Sequence, residues 1–131
     1  MKIFLILAFL FINSAQAIEW TELKSAKNQT IMLDKDSITT KKNYYFFNLK
    51  MFTNGLDDIV VTMQCATTHP FCARIKHYKN SQYESLNGNY QNITQDSTTK
   101  LEPITYTSKA YAAYKAVSQI EKSKIKPEIT F

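Results

Sequence analysis

The chain has 131 residues, of which 44% are hydrophobic and 13% aromatic, and carries a formal net charge of +5. Two glycines exclude a glycine-rich, phosphate-cradling loop. The basic residues are scattered except at Lys41-Lys42 and at Lys122, Lys124 and Lys126, so the continuous basic stripe of a nucleic-acid-binding domain is missing.

Lys2 supplies a positive start, Ile3 to Ile12 is an unbroken apolar run, and Ala15-Gln16-Ala17 puts small residues where a signal peptidase cuts. Ten apolar residues make only about 15 Å of helix, half of a roughly 30 Å hydrocarbon core, which disfavours a retained anchor. Residues 1–17 are therefore expected to be a secretory signal peptide. Residues 18–131 are expected to form one β-rich domain with a C-terminal helix and a short extended tail, exported to the periplasm, the cell surface or the medium, with no membrane span after cleavage. Removing 17 residues leaves 114, and losing Lys2 lowers the charge to +4. A chain of that size buries roughly two thirds of its unfolded surface around one core.

Strand patterns dominate residues 18–93. Ile18 to Leu23 and Gln29 to Leu33 read as a hairpin around Lys24 to Asn28. Asp34-Lys35-Asp36-Ser37 reads as a turn, because Asp and Ser side chains bond nearby backbone amides. Asn43 to Phe52 and Asp58 to Ala66 alternate in register around a turn holding Asn54-Gly55. Pairing them sets Met51 against Ile59, Leu49 against Val61, Phe47 against Met63 and Tyr45 against Cys65, an apolar face. The other face carries Asn48, Lys50, Thr62 and Gln64 and is expected to be mostly wet. Tyr44 and Phe46 share that wet face, which makes them candidates for a surface that contacts a partner or a second copy.

Cys65 and Cys72 are the two cysteines, and an oxidising compartment favours a disulfide between them. A metal site built from Cys65, Cys72, His69 and His77 is the alternative, although the C-x6-C spacing is looser than zinc motifs favour. In Cys72 to Lys79 the alternation sets Ala73, Ile75 and His77 on one face, with His77 a core histidine. Direct pairing of the cysteines would then bring Arg74 to the face of Met63, so a bulge near Cys72 is expected to restore parity. Tyr83 to Leu86 and Asn89 to Ile93 flank Asn87-Gly88, a strong hairpin signal. Gln95 to Tyr106 reads as irregular. Ser108 then caps a helix to about Lys122, in which Ala110, Ala113, Tyr114, Val117 and Ile120 line one face. The expected fold is α+β: a small antiparallel sheet with a C-terminal amphipathic helix packed on one face.

No nucleophile elbow, paired-histidine motif or clustered carboxylates appear, and the Asp34, Asp36 pair is explained by turn capping. The expectation is a non-enzymatic protein with no cofactor and no catalytic or metal-ligating residue.

With these elements placed, the chain resembles the bacterial surface-adhesin protein E family. The likeness rests on Glu19-Trp20, the Leu33-Asp34-Lys35-Asp36-Ser37-Ile38 turn, the aromatic strand from Tyr44, the strand ending Gln64-Cys65, and the Ser108-led helix, and it covers most of residues 18–122. The family commonly ties its C-terminal helix to a sheet cysteine, whereas here no cysteine follows Cys72. The resemblance implies an envelope protein acting by protein binding, with a host matrix protein or a bacterial envelope protein as partner and a homodimer as a further assembly. A periplasmic immunity or inhibitor protein that occludes a toxin or hydrolase is the alternative.

Overall fold

The computed structural model describes residues 18–52, 58–86 and 100–124. Residues 1–17, expected to be a signal peptide, the expected turn at Asn54-Gly55, the expected hairpin turn at Asn87-Gly88 with the expected strand Asn89 to Ile93, and the expected tail from residue 125 onward lie outside the described residues.

The elements run β1 (Trp20–Lys24), β2 (Thr30–Lys41), β3 (Tyr44–Met51), β4 (Ile59–Ala66), β5 (Phe71–Lys79), α1 (Asn80–Ser85), β6 (Glu102–Pro103) and α2 (Lys109–Lys124). The strands form one sheet in the order β1-β2-β3-β4-β5-β6, every neighbour antiparallel. This is an α+β chain, mostly antiparallel sheet with a C-terminal helix. Strands β2 and β3 pair because their connection is short: Lys42 and Asn43 join them, with Lys42 in the left-handed region at φ 56°.

The β3–β4 register places Met51 on Ile59, Leu49 on Val61, Phe47 on Met63 and Tyr45 on Cys65, as their alternation predicts. These side chains, with Ile31 and Leu33 of β2, form an apolar cluster that includes Ala113 and Val117 of α2. The helix contacts β2 foremost, then β1 and β3, and the Tyr114 ring lies 6.4 Å from that of Tyr45. Ser108 starts the helix, its Oγ accepting from the Tyr111 amide at 3.1 Å, which satisfies one of the amides a first turn leaves open.

The structure corrects several expectations. The other face of β3 and β4 is not wet: Asn48, Thr62, Gln64 and Phe46 are buried, Phe46 to 6% exposure, and Tyr44 is half-buried. The cause is a cover of Tyr83 and Trp20 over that face. Tyr83 to Ser85 are helical, in α1, instead of opening a strand. Asp34 to Ser37 do not end the strand but bulge within β2: Asp34 pairs with Asn48 and Thr39 with Phe46, so the extra residues loop out of the ladder. In β5 the bulge falls at Ile75 instead of at Cys72, since Thr62 pairs with Lys76 and Met63 with Arg74. Ala73 and His77 consequently occupy opposite faces. His77 does share the face of Val61, but α2 contacts β1 to β3, so this part of β5 is uncovered and His77 is exposed.

Cys65 and Cys72 pair directly across β4 and β5, joined by a disulfide with their Cα atoms 4.1 Å apart. The bond closes a short loop, which by chain entropy contributes about 2 kcal/mol. Replacing both cysteines by Ala should lower the urea-unfolding free energy by about that amount, some of it from lost packing at these buried positions. An unchanged midpoint would show that the crosslink does not constrain the unfolded chain.

Candidate functional site

The covered polar face and the disulfide turn are the two places where side-chain chemistry concentrates. On the polar face, Tyr83 comes down from α1 and its hydroxyl donates to Asp34 Oδ2 at 2.5 Å. The Tyr83 hydroxyl oxygen accepts in turn from Asn48 Nδ2 at 2.9 Å. Asn48 Oδ1 accepts from Thr62 Oγ1 at 2.6 Å, and Thr62 is hydrogen-bonded to Tyr78. One chain of polar contacts thus links β2, α1, β3, β4 and β5.

The β2 bulge serves this chain. Asp34 Oδ1 accepts from the Asp36 amide at 3.2 Å. Ser37 Oγ donates to the Asp34 carbonyl at 2.6 Å and accepts from the Asn48 amide at 2.9 Å. The roof is aromatic and charged: the Trp20 ring lies 5.6 Å from Tyr83, Lys50 Nζ sits 4.8 Å from the Trp20 ring centroid, and Lys50 pairs with Glu84 at 3.6 Å. Burial pushes the Asp34 carboxyl above its ordinary value, against the pull of the Tyr83 and Asp36 hydrogen bonds. Burial likewise raises the Tyr78 hydroxyl. Asp34 and Tyr83 are both sealed from solvent, so the groups of this chain are occupied with one another.

At the disulfide turn the chain passes from Ala66 to Phe71. The Thr67 amide donates to the Asn43 carbonyl, the Phe71 amide to the His69 carbonyl, and the Ile104 amide to the Pro70 carbonyl. The His69 ring stands edge-on to Phe71 at 6.1 Å. Tyr44, Ala66, His69, Phe71 and Leu101 line an open, mainly apolar depression of about 240 Å³. Phe71 is 39% exposed.

Of the residues singled out from sequence, Cys65 and Cys72 are joined to each other, which removes both thiols from the alternative metal site. Among the described residues no three His, Cys, Asp or Glu side chains gather as metal ligands would. Tyr44 reaches the surface depression, whereas Phe46, on the same face, is core. Sequence reasoning missed Tyr83, whose role depends on partners 35 and 49 residues away. It also missed Phe71 and Leu101, which come together only through the pairing of β5 with β6. Comparisons with protein-family models, with curated proteins and with solved structures return no match for this chain.

The raised Asp34 carboxyl gives a testable pH dependence. The folded state holds this proton more tightly than the unfolded chain, whose value is near 3.8. The contribution of Asp34 to stability is thus fully present below 3.8 and is lost as pH rises through the folded value. Subtracting the stability of D34N from that of the wild type, measured by urea unfolding at successive pH values, should therefore give a difference that falls as pH rises from 3.8. A difference that rises over the same range would mean that the hydrogen bonds outweigh burial.

Proposed function

We propose that this protein is an exported, non-enzymatic domain of the bacterial envelope that acts by binding another protein, and that the depression beside the disulfide turn is its contact surface. The observation that carries the reading is Phe71. It is a large aromatic side chain, over a third exposed, whose backbone is held by pairing with β6 and whose neighbour Cys72 is crosslinked to β4. A backbone already held in place has little left to lose on association, and aromatic anchors carry most of the energy of protein interfaces.

Tyr44 and Leu101 extend the apolar floor, and exposed Lys41, paired with Tyr44 across β2 and β3, adds a positive rim. The partner suited to this surface offers an apolar side chain flanked by acidic groups. In this reading α2 packs on the opposite face of the sheet and takes no part in the contact. The disulfide is compatible with an oxidising compartment outside the cytoplasm, and the resemblance to the protein E adhesins supports an extracellular matrix protein as partner.

The test is surface plasmon resonance of residues 18–131 against purified extracellular matrix proteins. The double variant Tyr44→Ser, Phe71→Ser should keep its circular dichroism spectrum and lose binding by at least about tenfold, the equivalent of one good anchor. Phe46→Ser, in contrast, should lower stability by about 3 kcal/mol or more, as a truncated core aromatic does. Unchanged binding by a folded double variant would remove this surface from consideration.

A further inference from the structure

A second cleft, of about 370 Å³, opens where the β1–β2 turn, β5 and the start of α2 meet. Three cations line it, and each comes from a different part of the chain: Lys27 from the turn, Arg74 from β5 and Lys109 from the first position of α2. Among the described residues no carboxylate lines the cleft, and the other polar side chains include the hydroxyls of Thr105 and Thr107 and the amide of Gln29. None of these three cations forms a salt bridge among the described residues.

Arg74 is in the cleft because of the β5 bulge. In a regular ladder continued from the Val61–His77 pair, residue 74 would point to the face that Tyr83 covers. The extra residue at Ile75 reverses this and puts Arg74 opposite Met63, on the side of α2. Bulges frequently re-aim a side chain next to a functional site. Three like charges brought together without a counter-charge repel one another, and a carboxylate in the lining would remove that cost. The volume lies at the lower end of the roughly 300 to 1,000 Å³ seen for small-ligand clefts.

We infer that this cleft binds a multiply charged oxyanion group, a phosphate or a sulfate. Arg74 offers the planar fork that matches two oxygens of such a group, and Lys27 and Lys109 add point charges on either side. The Thr105 and Thr107 hydroxyls and the Gln29 amide supply neutral donors. A single carboxylate would balance one of the three cations, whereas a phosphate or sulfate dianion balances two, and this selects the class of ligand. The inference is independent of the contact surface at Phe71, which lies on the other side of the sheet.

The test is titration of residues 18–131 with inorganic pyrophosphate, followed by amide NMR at low salt. Shifts should concentrate at Lys27, Arg74, Lys109 and Ala110. R74Q and K109Q, tested separately, should each weaken binding about tenfold, the scale of one charge-assisted contact. Because Arg74 is exposed, R74Q should melt like the wild type. K122Q/K124Q, at the far end of α2, is the control for general attraction to a basic protein. If it weakens binding as much as R74Q, or if neither R74Q nor K109Q changes the affinity, the proposal is overturned. Vesicles carrying a phosphomonoester headgroup distinguish a membrane-borne from a free source of the group, and R74Q must weaken whichever form binds.

Discussion

The chain of hydrogen bonds running from Asp34 through Tyr83, Asn48 and Thr62 to Tyr78 is the constraint on which the rest of the structure depends. A buried polar group without a partner costs about 1 to 3 kcal/mol, so these residues can be buried only if all of them are in place together. That requirement ties together the register of β3 against β4, the bulge in β2 that presents Asp34, and the return of the chain after β5 that delivers Tyr83. An apolar layer would tolerate sliding, whereas the bonds among Asp34, Tyr83, Asn48, Thr62 and Tyr78 hold only while their strands keep this register. The apolar cluster around Phe47 and Val117 supplies burial on one face, and the polar chain specifies geometry on the other.

The apolar face was legible in the sequence because period-two alternation on both sides of one turn allows only one pairing that sets Met51, Leu49, Phe47 and Tyr45 against apolar partners. The Ser108-led helix was legible for a similar reason, since its spacing and its cap are both local. The polar face was not. Asn48 and Thr62 look like solvent-facing residues when read along their own strands, and only Tyr83, far away in the chain, turns them into buried ones. Tyr83 was itself obscured. The six-residue helix α1 has no side-chain cap and is far shorter than a helix that persists by propensity alone. It is held by the tertiary contacts of Tyr83 and by the Asn80 amide donating to the Asp58 carbonyl.

His77 and Phe46 show the same limit from opposite directions. Parity along a strand says which face a residue takes, and for both residues it was right. Whether that face is buried depends on what crosses it. The helix reaches β1 to β3 but leaves His77 of β5 open, while the side expected to be wet acquires a cover and takes Phe46 into the interior. The surface depression at Phe71 depends on this distribution, since it forms where the cover ends and the short strand β6 begins.

The crosslink also bears on how the molecule matures. Its two sulfurs belong to neighbouring strands of one hairpin, seven residues apart, and segments of that length meet in about 10 to 100 ns in an otherwise unstructured chain. Oxidation therefore does not have to wait for the helix or for the first two strands. The two cysteines of this sequence allow a single intramolecular pairing, so no other bond within the chain competes with it. Forming the Cys65–Cys72 bond therefore takes an oxidant and no reshuffling within the chain.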